Sequence, residues 1–189
     1  MSAGSQAAVF VDRDGTLIRD VGHLWREQQL EILPRVPEAL RLLKEKGYKV
    51  VVVTNQSVVA RGRLTESHLA DIHRELLRRL ACSGAKVDGV YYCPHHPTEG
   101  FAPYKTQCDC RKPGTGLIRR AVAELRVALS RSYVVGDQTS DMELAARSGA
   151  RGIWIHAPGA PPAAIPPGAA HVVESLWEAA RWIAAGDWE

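Results

Sequence analysis

The chain has 189 residues, 46% hydrophobic and 24% charged, with a formal net charge of +3 at pH 7. That length suits one domain with a full core, and so small a charge, with acids and bases interspersed, argues against a nucleic-acid binder, which concentrates base on one face. No apolar run reaches the length of a membrane span, and residues 1–6 read as a short disordered lead-in without the basic and apolar regions of a secretion signal. The expectation is a cytoplasmic monomer, residues 1–189 forming a single domain, with no nucleic-acid or membrane partner.

The first element is the apolar run Ala7-Ala8-Val9-Phe10-Val11, a strand over 7–12, which leads directly into Asp12-Arg13-Asp14-Gly15-Thr16. Two carboxylates two residues apart at the end of a buried strand can present one acid as a nucleophile and a second as a proton donor, with room for a divalent cation. Pro37 at a first-turn position then opens a helix that Gly47 closes, with Ala39, Leu40, Leu42 and Leu43 inside. A second strand, 49–54, ends in Thr54-Asn55-Gln56-Ser57. Thr65 caps a second helix whose apolar stripe is Leu69, Ile72, Leu76, Leu77 and Leu80; Cys82, near its end, is expected in the core.

A third strand, 87–92, runs into a segment, 93–116, rich in Pro and Gly and carrying Cys93, His95, His96, Cys108 and Cys110. Loops of that length are uncommon unless functional or pinned by a metal. Thr115 caps a third helix with Ile118, Ala121, Val122, Leu125 and Leu129. The fourth strand, 133–136, ends in Gly136-Asp137, with Asp141 four residues on, inside a helix over 140–148 that Gly149 stops. A strand over 152–156, a Pro/Gly/Ala-rich connector over 157–169, a weak strand over 170–173 and a helix over 175–185 complete the chain. Trp177, Trp182 and Trp188 fall at helical spacing at its end.

Alternation of near-continuous apolar strands with amphipathic helices predicts an α/β fold with a doubly wound, Rossmann-like parallel sheet. Ligands of such sheets bind outside the carboxyl ends of the strands. Each of the first four strands ends in polar, charged or metal-binding residues, so the chemistry gathers on one rim. Singly these signals are weak: Asp-x-Asp-Gly is often only a turn, and Thr-Asn is commonly a helix cap. Four in succession are not. In the loop, three cysteines and one histidine, His95 or His96, satisfy a closed tetrahedral structural Zn²⁺ site, whose task is to aim Arg111 and Lys112 at the rim.

The combination Asp12/Asp14/Thr16, Thr54, Lys112 and Asp137/Asp141 resembles the haloacid dehalogenase superfamily of phosphohydrolases over residues 8 to about 150. The resemblance implies a Mg²⁺-dependent phosphatase working through an aspartyl-phosphate. Asp12 is the implied nucleophile, Asp14 the acid and base, and Thr54 and Lys112 hold the phosphoryl oxygens. The implied Mg²⁺ ligands are Asp12, the carbonyl of Asp14, and Asp137, with Asp141 a partner for Lys112 or for the waters of the metal rather than a direct ligand. The zinc loop narrows the resemblance to the histidinol-phosphate and heptose-bisphosphate phosphatases, and favours Cys93, His95, Cys108 and Cys110 as zinc ligands, leaving His96 to point elsewhere, toward substrate. The residues flanking Thr54, Cys93 and Cys108 favour the heptose group. That implies a small phosphorylated sugar as substrate, release of its C7 phosphate on the route to heptose nucleotides, and Asp20, His23, Asn55, Gln56, Ser57, Arg111 and Gln138 in the substrate pocket. Gln138, Val58 and His23 depart from the residues usual in that group. With only about twenty residues between Asp14 and the first helix, the fold is expected to be capless. The alternatives are histidinol phosphate or another small phosphomonoester as substrate, and a zinc-stabilised, non-catalytic binding module.

Overall fold

A computed structural model describes residues 5–156 and 164–186. Six strands form one parallel sheet: β1 (Ala8–Val11), β2 (Lys49–Asn55), β3 (Gly89–Cys93), β4 (Tyr133–Gly136), β5 (Arg151–Ile155) and β6 (Ala169–Val173), in the order β3-β2-β1-β4-β5-β6. Five helices cover it: α1 (Val36–Glu45), α2 (Glu66–Cys82), α3 (Gly116–Leu125), α4 (Thr139–Ser148) and α5 (Leu176–Ala185). The strand order reverses between β1 and β4, which creates the crevice where such sheets bind ligands.

Period-two alternation builds two cores on the one sheet. Val9, Val11, Val50 and Val52 face α1, α2 and α5, while Ala8, Phe10, Val51 and Val53 face α3 and α4. All eight are fully buried, each larger side chain contributing roughly 1.5–3 kcal/mol relative to exposure. Burial on both faces is the physical reason these strands read as unbroken apolar runs.

The predicted elements are present, with shifted ends. Strand β3 begins at Gly89 rather than residue 87, because its register pairs Gly89 with Val51 and carries pairing on to Cys93 opposite Asn55. Helix α3 stops at Leu125: Arg126 takes a left-handed conformation (φ 53°), and Leu129 opens a separate 3-10 turn. Thr115 does not cap α3 with its side chain; its hydroxyl accepts from Arg119 at 2.9 Å instead. Thr65 and Ser175 do cap α2 and α5, accepting from the backbone N–H of His68 and Glu178.

Cys82 is exposed, not in the core; it lies two residues past Leu80, about 200° around the helix from the buried stripe. A short 3-10 turn, Glu27–Gln29, lies in the loop between β1 and α1, which holds no inserted domain. Trp177 packs under the Arg35 guanidinium, and Trp182 stacks on His171. Trp188 and residues 157–163 of the predicted connector lie outside the described residues. No helix among the described residues is long and apolar enough to cross a membrane.

Candidate active site

Four strand ends meet at the crevice. Beyond β1 the chain bends at Asp12, whose N–H donates to Val135 O of β4 at 2.9 Å, and closes a tight turn through Gly15, whose N–H donates to Ile18 O. Gly15 has φ 74°, and a Cβ there would run into the Asp137 carboxylate; a Cβ on Gly136 would likewise strike Asp141. The two glycines make room for two acids beside Asp12.

Lys112 is only 4% exposed. Its Nζ lies 2.9 Å from Asp12 Oδ1 and 2.6 Å from Asp141 Oδ1. Asn55, at the end of β2, fixes the lysine backbone with a reciprocal pair: its amide donates to Lys112 O at 3.1 Å and accepts from Lys112 N at 2.9 Å. Asp141 spends its other oxygen on the Gln138 N–H, capping α4. Burial works against the Lys112 charge, but Asp12 and Asp141 outweigh it and hold its pKa above the usual lysine range. Burial likewise raises Asp12 to about 6, with Lys112 opposing and Asp141 and Asp14 adding to the rise. Asp137 is also raised to about 6, by burial and then by Asp12.

Oxygens of Asp12, Asp137 and Asp141 converge closely enough to share one cation. Asp137 Oδ1 is buried without a hydrogen-bond partner, while Oδ2 accepts from Gln138 at 2.9 Å and the Asp137 carbonyl accepts from the Trp154 indole at 3.1 Å. A buried, unpartnered carboxylate oxygen among hard oxygen donors fits a small divalent ion such as Mg²⁺.

The Cys/His loop gathers a second donor set. Cys93 Sγ lies 3.5 Å from Cys108 Sγ and 3.2 Å from Cys110 Sγ, Cys108 and Cys110 are 3.2 Å apart, and His95 Nδ1 is 3.3 Å from Cys110. Three thiols and an imidazole nitrogen at these separations fit one tetrahedral Zn²⁺. The loop is tied to α2 through Glu66, which accepts from the Tyr92 and Tyr104 hydroxyls at 2.7 Å each. Those bonds, Tyr104 first, hold the Glu66 carboxyl below its usual range. Arg111 donates to His95 O at 3.0 Å, so the donor cluster aims it. His96 does not point to substrate: its Nδ1 accepts from the N–H groups of Thr98 and Glu99 within its own turn.

The resulting cleft, about 290 Å³, has Asp12, Asp14, Thr54 and Lys112 around its base and Asp20, Asn55, Arg111 and Gln138 along its rim. Ser140, on the first turn of α4, also lines it and is not among the expected residues; its place just after Asp137 was the available signal. His23 and Ser57 are absent from this cleft and line a smaller cavity, about 80 Å³, on the other side of Asp14. Gln56 faces that cavity too but is 4% exposed; its amide donates to Asp14 Oδ2 and Thr54 Oγ1 at 2.9 Å each. Its amide is thus spent on Asp14 and Thr54.

Two family models match the chain: haloacid dehalogenase-like hydrolase over residues 9–76 and HAD-hydrolase-like over residues 109–179. The D-glycero-beta-D-manno-heptose-1,7-bisphosphate 7-phosphatase of Salmonella typhi is 42% identical over 144 residues, covering 76% of this chain and 77% of the relative. The chain belongs to the haloacid dehalogenase-like hydrolases. The phosphatase of the same name from Haemophilus influenzae is 42% identical, covering 72% of this chain and 73% of that protein. Among solved structures, D,D-heptose 1,7-bisphosphate phosphatase from B. bronchiseptica, complexed with magnesium and phosphate, aligns with TM-score 0.79 and 30% identity over 95% of this chain and 99% of that one. A HAD-like phosphatase from Mesorhizobium loti aligns with TM-score 0.84 and 30% identity over 98% and 90%. Within this family fold, the matched segments carry both ends of the site: Asp12 and Asp14 in one, Lys112, Asp137 and Asp141 in the other.

Proposed function

We propose that this hydrolase is a Mg²⁺-dependent phosphatase that removes the C7 phosphate of D-glycero-D-manno-heptose 1,7-bisphosphate and leaves the C1 phosphate in place. The observation that carries the reading is the convergence of Asp12, Asp137 and Lys112 in one cleft with Arg111 on its rim. The names of its relatives support the substrate and its beta anomer.

Asp12 and Asp137, with the carbonyl of Asp14, would hold the Mg²⁺. When bound, the ion supplies the positive charge that lets a carboxylate approach a phosphate dianion. Asp12 attacks phosphorus in line as the bond to the sugar oxygen breaks, giving an aspartyl-phosphate. Asp14 gives its proton to the departing oxygen, then takes one from the water that cleaves the intermediate. Lys112 and the Thr54 hydroxyl hold the phosphoryl oxygens as charge builds on them. Arg111 offers a bidentate grip for the second phosphate. Cys93, His95, Cys108 and Cys110 take a structural Zn²⁺, which leaves no open position for catalysis. We read the enzyme as a cytoplasmic monomer whose whole chain, 1–189, is one catalytic domain.

The test is phosphate release from both anomers of heptose 1,7-bisphosphate, fructose 1,6-bisphosphate and histidinol phosphate, assayed in parallel. The expected result is highest kcat/KM on the heptose beta anomer. Preference for histidinol phosphate would overturn the assignment.

A further inference from the structure

Behind Asp14 lies a buried polar network with no part in the steps above. Arg13 is 1% exposed, yet it sits between the two catalytic acids in sequence. Its Nε donates to Asp14 Oδ2 at 3.1 Å and its Nη2 to Asp14 Oδ1 at 3.0 Å. Nη2 also donates to Gln56 Oε1 at 2.8 Å, and Nη1 lies 3.2 Å from Nε2 of His73, a buried residue of α2. Gln56 closes the ring by donating to Asp14 Oδ2 and Thr54 Oγ1. Arginine has donors only, so His73 Nε2 must accept. Burial, and then the Arg13 charge, hold that imidazole neutral, with its pKa near 3.

Burying a guanidinium is costly unless it is fully paired, and this one turns away from the phosphate cleft. Within the network, Asp14 is the member that reaches solvent, with 25% of its side chain exposed. The whole arrangement therefore ends on one carboxylate.

We propose that Arg13, backed by His73 and Gln56, is the positioning residue of the general acid–base step, acting on the leaving oxygen only through Asp14. This rests on the reading of Asp14 as acid and base. A forked guanidinium and an amide fix the plane of the ionised carboxylate. Asp14 lines the cleft from within the fork, so its proton is presented to the leaving oxygen from that position. Its proton passes to the ester oxygen as the P–O bond to the sugar breaks and the bond from Asp12 to phosphorus forms. The carboxylate is then held in the fork until water gives it a proton, as the water oxygen bonds phosphorus and the Asp12–phosphorus bond breaks.

The test compares kcat/KM, which stops at aspartyl-phosphate formation, on the sugar bisphosphate and on p-nitrophenyl phosphate, whose leaving group departs without a proton. Asp14→Asn should lose about 10²–10⁴-fold on the sugar ester and far less on the aryl ester. Arg13→Lys, whose single ammonium cannot bridge both oxygens, should lose at least about tenfold on the sugar ester alone. His73→Leu should move in the same direction, and His73→Gln, which keeps an acceptor for Arg13, should restore most of the loss. The His73 pair decides the matter if Arg13→Lys does not fold. If Asp14→Asn falls equally on both esters, the acid role itself fails. If Asp14→Asn is selective while the Arg13 and His73 variants are equal on both or unchanged, the positioning role is overturned and the acid role stands.

Discussion

The Lys112 ammonium lies 2.9 Å from Asp12 Oδ1, with both residues more than nine-tenths buried. The ammonium that the proposed function assigns to the phosphoryl oxygens is thus already held against the Asp12 carboxylate. Asp141, 2.6 Å away on the other side, keeps it there.

Removing that lysine therefore acts on more than catalysis. Lys112→Met leaves Asp12 and Asp141 buried beside each other without a counter-charge, which costs about 3–5 kcal/mol. Added Mg²⁺ should recover part of that in a thermal melt and none of the turnover. Asp12→Asn keeps the shape and leaves Lys112 its Asp141 partner, so its melt should stay near wild type while turnover disappears. Retained turnover in Asp12→Asn would rule out a covalent step at this residue.

The raised acids make cation binding pH-dependent. Asp12 and Asp137 rise from 3.8 to about 6 in the metal-free fold. Between those values the folded chain holds more protons than the unfolded one, so their contribution to stability is present below about 3.8 and lost as pH rises through about 6. Their ionised forms are the ones a cation needs. The Mg²⁺-induced rise in melting temperature should be small at pH 5, grow through pH 6 and level off by pH 8. A rise that is flat across this range would contradict the site.

Gly15 is a sensitive position that does not itself line the cleft. An alanine there would drive its methyl group into the Asp137 carboxylate and strain a backbone held at φ 74°. Gly15→Ala should weaken Mg²⁺ affinity, read by titration calorimetry, and lower activity at least tenfold. Alanine at Gly47, which has positive φ but open space around it, should cost stability without changing Mg²⁺ affinity.

Zinc removal should reach the cleft indirectly. Stripping the metal with a chelator, or Cys110→Ser, frees the loop that aims Arg111, so protease cleavage within 94–110 should appear and turnover should fall. A melting shift of at least about 5 °C, roughly 2 kcal/mol for a chain of this size, is expected. A metal-free protein with unchanged melt and activity would exclude a structural role.

Much of the fold was legible because burial leaves a direct imprint on composition. Strands covered on both faces must be apolar where they are buried, as β1, the Val50–Val53 run of β2 and residues 133–135 of β4 are, and the cap at Thr65 is local chemistry. The limits of α3 were not legible, since Leu129 continues the helical period while Arg126 breaks the backbone. The exposure of Cys82, by contrast, follows from the helical period, which sets it about 200° from the stripe that ends at Leu80.

The sequence by itself determined the fold class, the four polar strand ends and the donor set of the Cys/His loop, because each is carried by neighbouring residues or by a period along the chain. Only the tertiary structure decided which side chains spend themselves on each other. Gln56 turned inward to Asp14, His96 closed its own turn, and Arg13 and His73, sixty residues apart, met behind the acid. A buried polar group must find its partner wherever packing brings one, and that distance in space is not written in the order of the chain.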